Sequence, residues 1–367
     1  MELRLHIGGD ADQGLVSLSW TVEGSLQRPY QVSKKSLMRA SSDLRDVLNQ
    51  VTLADDCICP DPFHPFKSDL CRAGSALFSN LFVAVDGDTQ TADNVRDYLS
   101  EAPVPYQDFF ITTDGLVHIP WNFVALPISA PTNYSDLLFN YFKIKVSSLC
   151  GSILHPKRLP LQRDNFRALF AIHKPFLDSA LKSTFLTPKE REFCDKLHKL
   201  DVGALTDWDS CEEAWTRIYK YDSVISVLGH SEGDEIHLYQ VDPSFGTGAI
   251  KKYITNYARF SACFRKRAGT TSDSLLLLNV CSSAVTDDRY GPLAVAYGAG
   301  FHGMIGSEAN ILNVFALKYS LKFLEYLLVG DKNVGQAFEL AQQELYPRSL
   351  LYSCYADPRF AVQPLFS

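Results

Sequence analysis

The stretch Ser274-Leu275-Leu276-Leu277-Leu278-Asn279-Val280-Cys281-Ser282-Ser283-Ala284 decides the fold. Consecutive leucines leave no polar face, so a strand here is buried on both sides, as at the centre of a parallel sheet. Ser223-Val224-Ile225-Ser226-Val227-Leu228-Gly229-His230-Ser231 follows the same plan. Working outward, Arg167 to Ile172 and His302 to Ile305 read as further apolar strands, and Glu235 to Tyr239 as a short one. Helical patterns lie between and after them. Thr187 is an N-cap with Pro188 at the first helical position, opening a helix through Leu200. Asp209 to Tyr219, Ala249 to Phe264 and Pro292 to Tyr297 read as helices, and Leu312 to Leu328 and Val334 to Leu345 as amphipathic ones. Apolar strands alternating with helices predict the α/β class, an α/β/α sandwich around a mostly parallel central sheet.

The first half is less regular. Leu3 to Ile7 and Val16 to Trp20 alternate like two strands of a hairpin, and Leu37 to Val51 and Gly74 to Phe82 have helical spacing. Asp108 to Ile119 reads as two short strands joined at Asp114-Gly115, a favourable hairpin turn pair. The pattern predicts a division into residues 1–159, an N-terminal extension, and 160–367, the core.

Composition narrows the function. The chain has 367 residues, 46% hydrophobic and 21% charged, which excludes a disordered, collagen-like or mucin-like protein. The net charge of -7 is the wrong sign for a protein whose main partner is nucleic acid or an anionic membrane. No apolar run approaches the roughly 20 residues of a membrane span, so no membrane insertion is expected. The start Met1-Glu2-Leu3-Arg4-Leu5-His6 lacks the apolar segment of a secretion signal, and a cytoplasmic protein with its nine cysteines reduced is expected.

Ligands of such sheets lie beyond the carboxyl ends of the strands. Two of these ends carry reactive side chains, His230 and Cys281. A thiolate is a nucleophile, and an imidazole can assist it and protonate a leaving amine. A cysteine closing an apolar strand is more often packing, and a Gly-His pair alone is equally weak. The pair together is stronger, because both residues end strands and the histidine precedes the cysteine by about 50 residues, the caspase offset.

Several segments in order resemble the CHAT domain, a caspase-like cysteine protease of the group that includes separase and the metacaspases. Ile119-Pro120-Trp121-Asn122 is similar to its Pro-Trp-Glu segment, with Asn122 in place of glutamate. Tyr141 to Ser148 and Arg167 to Pro175 resemble the approach to its caspase-like core. Val227-Leu228-Gly229-His230-Ser231 resembles its Gly-His-Gly motif, and Leu278-Asn279-Val280-Cys281-Ser282-Ser283 its Asn-Ala-Cys motif. Gly303-Met304-Ile305-Gly306-Ser307-Glu308 is similar to Gly-x-Ile-Gly-Thr-Glu, and Gly335 to Glu344 with Tyr355-Ala356-Asp357-Pro358 resemble the closing helix and terminal strand.

The resemblance implies a cysteine endopeptidase with His230 and Cys281 as its dyad and the backbone N–H groups of Ser231 and Cys281 as its oxyanion hole. Ser231 replaces a glycine, which leaves the N–H in place but removes the freedom at positive φ. The resemblance also implies residues 1–159 as a CHAT-type extension, a protein substrate such as a gasdermin-like pore former in bacterial defence or cell death, and an activating partner or assembly. A catalytically silent CHAT scaffold that binds partners is the alternative, against which the intact dyad argues. A thiol-dependent transferase or amidase has no phosphate loop or cofactor motif to support it, and no cofactor is expected. Cys57, Cys59, His64 and Cys71 cluster near a proline-rich loop, but Cys-x-Cys is not the usual zinc spacing and no metal is expected. Arg265, Lys266 and Arg267 are too few for a nucleic-acid site.

The resemblance places Asn279, two residues before the cysteine, in the pocket for the side chain preceding the cut bond. His173 and Lys174, at the end of the Arg167 strand, form the other wall, and Asp287 and Asp288 could fold back into it. Neither wall supplies a carboxylate, so the expected cleavage is after a neutral or acidic residue. A peptide-library profile tests this. Dominance of arginine or lysine before the cut would overturn it, and Asp287→Asn with Asp288→Asn would then show whether those two were responsible.

Overall fold

In a computed structural model, residues 2–9, 14–55, 60–85, 87, 89–100, 107–113, 117–126, 137, 142–148, 158–159, 166–172, 174–182, 184–199, 222–232, 235–237, 254–256, 259, 274–281, 283, 292, 296, 301 and 303–362 are described. The chain forms two compact units, one on Met1–Cys150 with Thr286–Asp288, the other on Gly151–Val285 and Arg289–Ser367.

The first unit opens with β1 (Glu2–Gly8) antiparallel to β2 (Leu15–Val22), Leu5 facing Trp20. Alternation sends Leu3, Leu5, Ile7, Val16, Leu18 and Trp20 into the core. The short strands β3 (Ser25–Leu26) and β4 (Tyr30–Ser33) both pair with β2. Then come α1 (Lys34–Ala54), α2 (Lys67–Asn80) and α3 (Thr89–Ser100). Leu37, Leu44, Leu48 and Val51 on α1 recur at helical spacing and are buried. Gly74 lets α2 approach the 3-10 turn Trp121–Phe123: a Cβ there would stand 2.2 Å from the Phe123 carbonyl oxygen.

Asp108 to Ile119 is not a hairpin. β5 (Gln107–Thr113) pairs in parallel with β1 on one side and with β6 (Phe142–Ser148) on the other. Val117 to Pro120 is buried without joining a strand, and Asp114-Gly115 lies outside the described residues. The segment is fastened by α1 instead. The His118 carbonyl accepts from the Ser41 hydroxyl at 2.6 Å and from Arg45 Nη2 at 3.1 Å. Its apolar residues therefore fill the core from an irregular backbone, a use of Val117 and Ile119 that local alternation cannot signal.

The second unit contains the central sheet. Its elements begin with β7 (Arg158–Leu159), β8 (Phe166–Ile172), α4 (Lys174–Lys182), α5 (Pro188–Lys199) and β9 (Asp222–Leu228). The strands β10 (His230–Glu232), β11 (Glu235–His237) and β12 (Ile254–Asn256) form a separate antiparallel ribbon. β13 (Ser274–Asn279), β14 (Gly303–Ser307), α6 (Asn313–Leu328), α7 (Val334–Glu344), β15 (Tyr352–Ala356) and β16 (Ala361–Val362) follow. The sheet order is β15-β14-β13-β9-β8, parallel throughout except for the antiparallel β15. Every residue of β13 and β14 is buried. This is the α/β/α class, with a mostly parallel sheet, that the apolar strands predict.

Helix α5 begins where its cap requires. The Thr187 hydroxyl accepts from the Glu190 N–H at 3.3 Å, and Glu190 Oε2 accepts from the Thr187 N–H at 2.7 Å, a reciprocal capping box. Residues 254–256, inside the segment expected to be one helix from Ala249 to Phe264, are instead the strand β12. The Asp209 to Tyr219 helix falls outside the described residues. Helix α6 packs on β9, β13, α5 and α7, which explains why it is apolar almost all round. Gly303 has no room for a side chain, since a Cβ would lie 2.2 Å from that of Ala356 on β15. Among the described residues no helix is long and apolar enough to cross a membrane.

Candidate active site

The backbones that carry His230 and Cys281 leave the same edge of this sheet. β9 and β13 are neighbours in parallel register, ending with Leu228 opposite Asn279. One further bond, from the Gly229 N–H to the Asn279 carbonyl at 3.2 Å, ties the two chains together immediately before the candidate residues. His230 then opens β10, paired with His237, and Ser231 sits opposite Ile236. Ser231 is thus in a strand, an extended backbone that any residue adopts, so this loop does not need the glycine that the family resemblance places there.

Cys281 follows β13 after Val280. The Ser283 N–H donates to the Val280 carbonyl at 3.2 Å, closing a turn that contains the cysteine. Cys281 is a thiol at 8% exposure, and its Sγ lies 4.0 Å from the Ile311 carbonyl oxygen, between β14 and α6. Beside it stands Tyr352 of β15. Burial is the main reason the Tyr352 hydroxyl is held far above its usual pKa; its bond to Asn279 opposes that, and the negative charge of a Cys281 thiolate adds to it.

Asn279 does not have the surroundings of a substrate-pocket wall. It is 1% exposed. Its Nδ2 donates to the Ala316 carbonyl at 2.6 Å and to the Ser320 hydroxyl at 2.8 Å, both on α6, and its Oδ1 accepts from the Tyr352 hydroxyl. Both amide donors are consumed inside the protein, and the side chain joins β13 to α6 and β15. The ring of Tyr352 stacks on Tyr319 of α6 at 3.6 Å and 5°. Of the other pocket candidates, His173, Asp287 and Asp288 lie outside the described residues, and Lys174 opens α4. Of the cysteine and histidine cluster, His64 is exposed, Cys71 is buried in α2, and Cys57 and Cys59 lie outside the described residues.

Several polar residues at this edge carry no role in the sequence reading. Ser283 and Ser307 are both fully buried. The Ser283 hydroxyl donates to the Leu278 carbonyl at 2.6 Å and accepts from the Ser307 N–H at 2.9 Å, while the Ser307 hydroxyl lies 2.9 Å from the carbonyls of Val280 and Ala309. Glu308, 1% exposed, accepts from the Tyr355 hydroxyl at 2.8 Å and donates its N–H to the Leu351 carbonyl. The available signal was the position of Asn279 and Ser307 as polar ends of wholly apolar strands, where a buried polar group must find partners.

No protein-family model and no curated protein matches the chain by sequence. Among solved structures, separase in the Saccharomyces cerevisiae separase–securin complex at 2.6 Å is similar, with a TM-score of 0.51 and 12% identity over 99% of this chain and 30% of that one. The same complex at 3.0 Å gives 0.49 and 11%, again over 99% and 30%. A further solved protein, described only as a protease, gives 0.46 and 10% over 88% of this chain and 76% of its own. The chain therefore spans about a third of the separase chain, and at this identity the 2.6 Å likeness establishes shared fold.

Asn279→Asp separates the two roles of that residue. A carboxylate cannot donate to Ala316 or Ser320, and it would place charge against a carbonyl. The expected loss is about 2–4 kcal/mol of unfolding free energy in a urea titration, with cleavage preference unchanged. Unchanged stability together with new cleavage after arginine would return Asn279 to the substrate pocket.

Proposed function

We propose that this chain is a cysteine endopeptidase in which Cys281 is the nucleophile and His230 its acid–base partner. The observation that carries the proposal is the emergence of both residues from the carboxyl ends of adjacent parallel strands, with Gly229 and Asn279 bonded just before them. The fold likeness to separase supports the same reading.

In this mechanism His230 takes the thiol proton as Cys281 Sγ attacks the scissile carbonyl carbon. The backbone N–H groups of Ser231 and Cys281 receive the oxyanion. Collapse of the tetrahedral adduct breaks the C–N bond, and the imidazolium gives its proton to the leaving amine. Water, deprotonated by His230, then hydrolyses the thioester and restores the thiol. The substrate is a partner protein, and the resemblance to CHAT proteases supplies a gasdermin-like pore former of bacterial defence as the candidate. The slight exposure of Cys281, its Sγ turned to the Ile311 carbonyl, supports an enzyme that an activating partner or assembly must open.

Co-expression of the full chain with candidate substrate proteins, including those encoded beside it, tests this. Cys281→Ala and His230→Ala are each expected to lower cleavage by at least about a hundredfold while leaving the circular dichroism spectrum unchanged. A folded Cys281→Ala chain that still cuts at a comparable rate would remove the nucleophile. Partner binding by a wild-type chain that cuts nothing it binds would favour the silent scaffold.

A further inference from the structure

We infer that Ser283 and Ser307 are positioning residues that hold the turn carrying Cys281, so that its thiol meets a scissile carbonyl at a fixed place. This rests on the reading of Cys281 as the nucleophile.

The argument begins with the end of a ladder. β13 and β14 pair from Leu275–Gly303 to Leu278–Gly306 and no further. Beyond that point the backbone of β13 must turn, and the groups it stops sharing with β14 are still buried. An unpaired buried N–H or C=O costs roughly as much as a lost hydrogen bond. Two hydroxyls take over the lost partners. Ser283 bridges backwards to Leu278 and sideways to the Ser307 N–H. Ser307 reaches across to Val280, the residue immediately before the cysteine. The Val280 carbonyl thus accepts from the Ser307 hydroxyl and from the Ser283 N–H that closes the turn. Side-chain bonds from the turn itself and from the end of β14 therefore bracket Cys281 on both sides in sequence.

Each hydroxyl does something a methyl of similar size cannot. Ser283 has one proton and spends it on Leu278, while its oxygen accepts from Ser307. Ser307 contacts Val280 and Ala309, so it joins the cysteine turn to the start of the segment whose Ile311 carbonyl faces Sγ. Removing the Ser283 hydroxyl takes the acceptor from the buried Ser307 N–H and a donor from Leu278. Removing the Ser307 hydroxyl takes the one proton shared by the Val280 and Ala309 carbonyls. Either loss frees the turn at a point one or two residues from the thiol. A displacement of about 1 Å at a reacting group can cost on the order of a hundredfold in rate.

The test uses the full chain with Ser283→Ala, Ser307→Thr and Ser307→Val. Threonine and valine have the same shape at position 307 and differ in the hydroxyl, so their comparison isolates it even if Ser283→Ala fails to fold. Two readouts are taken: the rate at which iodoacetamide alkylates Cys281, followed by peptide mass spectrometry, and kcat and KM on fluorescein-labelled casein. Cys194 serves as an internal slow control, since burial first, with Asp195 adding to it, pushes its thiol up to about 12. Ser283→Ala and Ser307→Val are expected to alkylate Cys281 at least about fivefold faster, because the turn no longer holds the thiol under the Ile311 segment, and to lose at least about tenfold in kcat with KM within about twofold. Ser307→Thr is expected to stay near wild type in both. An unchanged alkylation rate in folded Ser283→Ala, or equal behaviour of Ser307→Val and Ser307→Thr, would overturn the inference. So would faster alkylation at wild-type kcat in a protein that Cys281→Ala inactivates. If Cys281→Ala instead turns over casein like wild type, or wild type does not turn it over at all, the fault lies with the nucleophile, the substrate or the missing activating partner, and the alkylation rates alone decide whether the serines hold the turn.

Discussion

Two fully buried strands, β13 and β14, stop inside the protein rather than at its surface, and their backbone groups must still be satisfied. Much of the polar chemistry at this edge of the sheet follows from that constraint. Asn279 closes β13 by bonding α6 and accepting from β15; Ser307 closes β14 by bonding the turn beyond β13; Ser283 returns from the turn to both strands. Glu308 continues the pattern, taking the Tyr355 hydroxyl and giving its own N–H to Leu351. Each group is paired within a low-dielectric interior, where such bonds are strong when complete and costly when broken.

A rigid frame of this kind suits the nucleophilic role proposed for Cys281. Covalent chemistry needs the attacking atom in one place, and loops hold atoms less precisely than strands do. Cys281 stands two residues beyond the end of a central strand, on a turn bonded on both sides, and the His230 backbone departs from the adjacent strand. The opposite end of the same strand pair is closed more simply: Ser223 and Ser274 face each other in register with their hydroxyls 2.8 Å apart.

The central sheet was legible because burial on both faces leaves an unmistakable mark, an apolar run of strand length ended by small or polar residues. Leu275 to Leu278 and Val224 to Leu228 carry that mark, and α5 announced itself through Thr187 and Pro188. Reading failed where local signals compete with distant partners. Asp114-Gly115 suggested a hairpin, but the pairing of β5 is parallel and non-local, with β1 at one side and β6 at the other. Residues 254–256 lie within a helical pattern, yet their backbone pairs with β11. Asn279 shows the limit at a site: its place two residues before the cysteine was readable, whereas the direction of its amide depends on Ala316, Ser320 and Tyr352, up to 73 residues away in sequence.

The most direct measurement is covalent capture. The full chain is treated with a mixture of peptidyl vinyl sulfones varied at the residue next to the electrophile, and the adduct is located by mass spectrometry among all nine cysteines. The account predicts one adduct, on Cys281, that depends on the peptide and disappears in His230→Ala. Labelling spread over several cysteines, or a Cys281 adduct indifferent both to the peptide and to His230, would contradict it.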